Sequence, residues 1–373
     1  MTRATLFQRG SAVLAGIVLA GCGSQSQHQH LTVGAVEDAA KFGDATGQMQ
    51  LASASGFSAI ALSSVWTRGL REPVPAELAA LRSATRAATT NDIRPIVAVY
   101  SFSSNTPLDF GDRRDFAAYA AALVRALPGV RDVIVGNEPN LNLFWLPQYD
   151  VNGGDAAAVA FEELLATTYD AVKKARPDVQ VIGAGLGPRG SDDPSAPRAT
   201  HSPTQFLLDL GAAYRASGRD RPIMDAFAIH PYGENARIAP TLAHPHTKSI
   251  GIADYGKLVA LLGRAFDGTA QRGHDLPVVY GEYGVETTVP AAKQSLYSGS
   301  EVIPTADEAT QAQFYGEAIR LAACQPTVEL LLFFHVEDES RLAGLQTGTR
   351  YADGSPKSSL DPVRRAVRAK VDC

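Results

Sequence analysis

The chain has 373 residues, 45% of them hydrophobic and 20% charged, the composition of an ordinary globular protein. Its formal charge is −5, and −7 once residues 1–21, with two arginines and no acid, are set aside. That acidic balance argues against nucleic acid and anionic lipid surfaces as partners.

The chain opens on a leader. Arg3 and Arg9 form a positive region, and Ser11–Leu19 is a short apolar run ending in Leu19-Ala-Gly-Cys22. The run is too short to span a bilayer stably and ends in small residues, as a cleaved signal does. Leu-Ala-Gly-Cys resembles a bacterial lipobox. It implies lipidation of Cys22 and an extracytoplasmic place in the bacterial cell envelope, with membrane contact through that lipid anchor only. Residues 22–30 then read as a polar tether, with His28 and His30 part of it rather than metal ligands. Residues 31–373 show no internal linker and no short-period repeat, a length one α/β barrel can reach.

Along that stretch, eight short apolar runs alternate with helical patterns. The runs are Leu31–Val36, Ala59–Trp66, Pro95–Phe102, Val133–Asn137, Val179–Gly185, Ala226–Tyr232, Pro277–Glu282 and Glu329–His335. They are continuous rather than alternating, as parallel strands covered on both faces are. Pro75–Thr90 reads as a helix with proline at its first position. Phe116, Tyr119, Ala120, Leu123 and Leu127 share one helical face. Phe161–Lys174, Thr204–Ala216 and Asp254–Phe266 follow. Thr305-Ala-Asp-Glu308 reads as a capping box opening a helix through Ile319, and Asp361–Val371 closes the chain. Eight strand–helix alternations predict a single-domain (β/α)8 TIM barrel, with a doubly wound open sheet as the alternative. The match Gly185-Leu-Gly-Pro-Arg-Gly190 follows the fifth run, contains Pro188 and opens no long helix, so it reads as a tight turn rather than a dinucleotide site.

In such a barrel, function sits at the C-terminal strand ends. Those ends carry Glu37, Asp38, Trp66, Tyr100, Phe102, Asn137, Glu138, His230, Tyr232, Glu282, Tyr283, Phe334 and His335. This is a set of carboxylates and aromatics. It contains no zinc-spaced cluster and no nucleophile elbow, and it calls for no metal and no cofactor. His244-Pro-His246 lacks a third ligand and reads as loop. Glu138 and Glu282 each end an apolar run, where a carboxylate is costly unless needed. Two carboxylates about 5 Å apart, one held protonated, are what glycoside hydrolysis requires. Trp66 and Trp145, the only tryptophans, are candidate sugar contacts, Trp145 as an exposed ring in a loop.

Asn137-Glu-Pro139 on the fourth run, His230-Pro-Tyr232 on the sixth and Gly281-Glu-Tyr-Gly284 on the seventh resemble clan A of the glycoside hydrolases. Those are retaining (β/α)8-barrel glycosidases. Asn140–Trp145, Gln311-Ala312, Gly344-Leu345 and Asp353–Lys357 are similar to a bacterial group near families 39 and 5. The resemblance covers nearly all of residues 31–370. It implies Glu138 as acid/base, Glu282 as nucleophile, Asn137 on the sugar 2-hydroxyl and Tyr232 donating to the nucleophile. His230, Trp66, Trp145, Tyr283 and His335 complete the expected substrate contacts. The second run lacks the arginine usual in family 5, and the eighth ends in Phe333-Phe-His335 where many members carry tryptophan.

The expected activity is hydrolysis of O-glycosidic bonds in a polysaccharide or glycoconjugate by a monomeric enzyme. A non-catalytic carbohydrate-binding barrel and a transglycosylase are the alternatives. The loops 141–155, 188–201, 233–250 and 289–304 would set the sugar and linkage. In the expected barrel, Cys324 ends the seventh helix and Cys373 follows the eighth. Both then lie at the bottom face of an oxidising-compartment protein, where they can form a disulfide.

Overall fold

The computed structural model describes residues 1–2 and 31–373. Cys22, the expected tether over residues 22–30 and the expected leader, from residue 3 on, lie outside the described residues.

Eight parallel strands close into a barrel in the order β1-β2-β3-β4-β5-β6-β7-β8. They are β1 (Thr32–Val36), β2 (Ala59–Val65), β3 (Arg94–Tyr100), β4 (Asp132–Val135), β5 (Gln180–Leu186), β6 (Ala226–Ile229), β7 (Val278–Tyr283) and β8 (Val328–Phe334). Every predicted apolar run forms a strand, with ends displaced by no more than three residues. The first strand pairs with the last from Thr32–Leu330 to Val36–Phe334. That closure removes both sheet edges and eliminates the open-sheet alternative.

The helices are α1 (Ala39–Phe42), α2 (Ala45–Ala54), α3 (Pro75–Thr90), α4 (Phe110–Ala126), α5 (Ala156–Ala175), α6 (Pro203–Ser217), α7 (Tyr255–Phe266), α8 (Glu308–Ala323) and α9 (Leu360–Arg368). The sequence pattern did not single out α1 and α2. Side chains of Asp109, Asp155 and Ser202 accept the exposed amides that open α4, α5 and α6, satisfying donors a helix start leaves orphaned. The predicted capping box at Thr305 does not form. Asp307 caps α8 instead, accepting from the Thr310 amide, and Glu308 turns away to Tyr351 and Ser358. Two candidate caps two residues apart competed, and the aspartate won.

Alternation along the strands builds two cores. Ala59, Ala61, Ile96, Ile134, Ile182, Ala228, Val279, Leu330 and Leu332 fill the barrel interior. Their neighbours Ile60, Leu62, Val97, Val135, Val181, Phe227, Val278 and Leu331 pack outward against the helices. The interior is a plug of small and branched side chains, so the reacting groups can only stand on top of it. Cys324, just past α8, and Cys373, just past α9, are joined by a disulfide with Cα atoms 5.4 Å apart.

Candidate active site

The C-terminal ends of the strands surround a cleft of about 570 Å3 lined by Glu138, Glu282, Asn137, His230 and His335. Local backbone irregularities aim these groups. Past β4, Gly136 has φ +96°, and a Cβ there would lie 2.8 Å from the Phe161 ring. Glu138 itself has φ +42° and His335 φ +74°, a left-handed conformation that is uncommon outside glycine and gathers at functional sites. On β7, Val279 faces the barrel interior and Tyr280 the helices. Simple alternation would send Glu282 outward with Tyr280. The pairing with β8 slips between Tyr280 and Tyr283, and Glu282 lines the cleft instead.

His230, on the interior face two residues beyond Ala228, sits between the two carboxylates. Its Nδ1 lies 3.2 Å from Glu138 Oε1 and 3.5 Å from Glu282 Oε2. The ring has room there because β7 carries Gly281, whose added Cβ would come within 3.1 Å of it. Two residues farther on, the Tyr232 hydroxyl donates to Glu282 Oε2 at 3.0 Å. Burial opposes a charged imidazole at His230, but Glu282 and Glu138 outweigh it and hold the pKa above the ordinary value. Burial pushes the Glu282 carboxyl up, His230 opposes it, and Glu138 adds to the rise. Burial also lifts Tyr232 far above the ordinary phenol range, so it remains a donor at any working pH. The result is a carboxylate pair sharing one cation and fixed by one hydroxyl, which can hold a single proton between two oxygens.

One wall of the cleft is aromatic. Phe102 and Phe144 stack with centroids 5.6 Å apart, and Tyr100 meets both edge-on. On the opposite side, Phe334 and His335 lie against each other with ring centroids 4.1 Å apart. From β2 comes Ser63, whose carbonyl accepts from the Lys41 ammonium at 2.7 Å, with Lys41 also paired to Asp38 at 3.3 Å.

Three expected sugar contacts are corrected. Trp66 is fully buried, donates its indole N–H to the Leu70 carbonyl and packs edge-on against Phe116. It shares strand parity with the outward-facing Leu62, a signal the sequence already held. Trp145 is 4% exposed and meets Phe161 edge-on; the loop folds it into the helix layer. Tyr283 is 1% exposed and packs on Tyr315 and Phe333, because the β7 slip that turned Glu282 in left Tyr283 out. Phe144, Ser63, Glu337 and Glu339 line the cleft and were not anticipated. Phe144 stood in the Asn140–Trp145 stretch, but the neighbouring tryptophan drew attention from it.

A second chamber of about 430 Å3 opens on the other side of Glu138. It is lined by Arg189, Tyr232, Glu234, Asn235, Glu286 and apolar residues including Leu141, Pro188, Ile303 and Leu345. His244 pairs with Asp254 at 2.7 Å and Glu234 at 3.4 Å. Among the described residues, no group of three or more His, Cys, Asp or Glu is placed to hold a metal ion. Lys357 is buried and bonds Asp338, Thr287 and the Gln346 carbonyl, clamping together the loops that follow β7 and β8.

No family model and no curated protein sequence matches the chain. Solved structures do. A family 39 glycoside hydrolase from Bacteroides cellulosilyticus matches over 92% of this chain and 64% of its own, at 18% identity and TM-score 0.64. A monomeric beta-xylosidase from Caulobacter crescentus matches over 92% and 68%, at 16% identity and TM-score 0.59. A glucosidase from Croceicoccus marinus matches over 91% and 67%, at 13% identity and TM-score 0.61. The chain thus spans about 64% of the length of the first of these. At such identities the likeness establishes the shared barrel fold.

Proposed function

We propose that this protein is a retaining glycoside hydrolase of the clan A type, exported and held at the bacterial cell envelope by a lipid on Cys22. The observation that carries the reading is the sharing of His230 Nδ1 by Glu138 and Glu282. Two carboxylate oxygens gathered on one ring nitrogen, at 3.2 and 3.5 Å, belong to carboxyl groups held near each other. That favours the retaining spacing of about 5–5.5 Å over the inverting one of about 6.5–9.5 Å. The fold shared with several glycosidases agrees with it.

The chemistry follows from the two environments. Burial raises the Glu282 pKa, and the facing His230 and the Tyr232 hydrogen bond oppose that rise in favour of the ionised form; as the carboxylate it attacks the anomeric carbon. Glu138 protonates the departing oxygen. Having given its proton to the departing oxygen, Glu138 is the carboxylate that takes one from the incoming water, whose oxygen attacks the anomeric carbon and releases Glu282 as a free carboxylate. Asn137 holds the sugar 2-hydroxyl. The Phe102–Phe144 wall offers an apolar surface to the C–H faces of a sugar.

The test uses activated aryl glycosides of several neutral sugars. Glu282→Gln loses nearly all turnover, whereas Glu138→Ala keeps it on good leaving groups and is accelerated by azide with retained configuration. Equal losses in both variants would contradict the assigned roles. Oligosaccharide binding without turnover in the wild type would identify a binding barrel, and sugar-acceptor products a transglycosylase. For the anchor, Cys22→Ala releases the protein from the membrane fraction; equal membrane retention would refute lipidation.

A further inference from the structure

The two chambers differ in what they share with the carboxylate pair. The first contains both Glu138 and Glu282. The second contains Glu138 but not Glu282. A group that must meet the nucleophile can only sit in the first, whereas a group that needs only the proton donor fits the second. This division rests on the hydrolase reading above, and it makes the second chamber the leaving-group side.

The chambers also differ in charge. Among the described residues lining the first, there is no Lys or Arg. Glu339 stands half-exposed at its rim with a 48% exposed side chain, and Asp38 is partly exposed beside Lys41. An anionic sugar would meet carboxylates there, and the one cation in the described lining, His230, is already held between Glu138 and Glu282. The second chamber holds Arg189. Its one hydrogen bond within the described chain runs from Nη1 to the Tyr232 carbonyl at 3.1 Å. Glu234 and Glu138 share the lining and favour the Arg189 charge, but neither forms an ion pair or hydrogen bond with it, and Glu234 lies 3.4 Å from His244 instead. Glu286 is buried and pushed up to about 8, so it carries little charge at neutral pH. Burial costs the guanidinium its water and works against its charge. A half-desolvated guanidinium with unused fork-shaped donors is suited to a carboxylate.

We propose that Arg189 binds an anionic group on the leaving group, a carboxylate such as that of a uronic acid residue, while the sugar transferred to Glu282 is uncharged. The substrate class is then a glycoside in which a neutral sugar is linked to an acidic one, with the acidic residue on the reducing side. The apolar walls at Leu141, Pro188 and Leu345 take the C–H surface of that second residue.

The test is calorimetric titration of Glu282→Gln protein with paired 4-carboxyphenyl and 4-carbamoylphenyl glycosides of neutral sugars. These differ in charge and hardly in shape. The carboxylate member is expected to bind about tenfold tighter or better, and the preference to vanish in Glu282→Gln/Arg189→Gln, with the carbamoyl member reporting that the site is still formed. Equal affinity for the pair, a preference that survives loss of Arg189, no binding of either, or tighter binding of an aryl glycosiduronide would each overturn the proposal. Wild-type turnover is scored separately: no turnover with an arginine-dependent preference would remove hydrolysis and leave the anion site standing.

Discussion

The Tyr232 hydroxyl donates to Oε2 of Glu282 at 3.0 Å, the same oxygen that faces His230 Nδ1 at 3.5 Å. That oxygen thus takes the tyrosine hydrogen bond and faces the ring, whose Nδ1 lies at hydrogen-bond distance from Glu138 Oε1, 3.2 Å, while Oε1 of Glu282 is the less encumbered one. The arrangement holds the carboxylate in one rotamer and opposes the rise that burial imposes on it.

Tyr232→Phe removes that hydroxyl donor and leaves the ring in place. Activity should fall by roughly 10–100-fold, about 1.4–2.7 kcal/mol of barrier. Loss of a bond that lowers the Glu282 pKa raises that pKa further, so the acidic limb of the pH–rate profile should move to higher pH. An unchanged limb in kcat/KM would show that the hydroxyl does not act through Glu282.

Glu286 has one oxygen accepting from the Gln346 amide at 2.7 Å and the other buried without a partner. Its folded pKa stands at about 8 against an ordinary 4.5. A raised carboxyl contributes fully below its unfolded pKa, and that contribution is lost as pH rises through the folded value. Glu286→Gln keeps the acceptor and removes the charge. Thermal unfolding should show it nearly equal to wild type at pH 5 and more stable by ~1–3 kcal/mol at pH 9. Equal stability at both pH values would contradict a buried neutral carboxyl.

Trp66 fills the layer between β2 and α4 and does not touch the cleft. Trp66→Ala should cost ~3–5 kcal/mol in denaturant unfolding. At temperatures where the variant stays folded, KM for aryl glycosides should match wild type. A KM rise of tenfold without loss of stability would restore Trp66 as a sugar contact.

The bond between Cys324 and Cys373 spans 49 residues of sequence and ties the chain end beyond α9 to the end of α8. Breaking it frees the C-terminal helix in the unfolded chain and lies far from the cleft. Cys373→Ser should lower stability by ~2–4 kcal/mol and leave kcat and KM unchanged. Two free thiols in the unfolded, unreduced mature protein, in addition to any at Cys22, would show that the bond does not form.

The sequence by itself determined the number and order of the strands. Eight runs of branched and small residues, continuous rather than alternating, call for a parallel sheet covered by helices on both faces; that the sheet closes rather than staying open was decided by the pairing of β1 with β8. It also determined that Glu138, His230, Tyr232 and Glu282 stand near strand ends, because each follows directly on such a run. Tertiary structure alone decided which way the end residues face. The β7 slip between Tyr280 and Tyr283 turned Glu282 in and Tyr283 out, and register irregularities leave no mark in apolar periodicity. The loop after β4 buried Trp145 against Phe161 and left Phe144 in the cleft, a choice made by the surface each ring could find. Arg189 was read in sequence as part of a tight turn. Its place beside Glu138 comes from the packing of the β5 loop across the top of the barrel, through residues distant in sequence that no local pattern brings together.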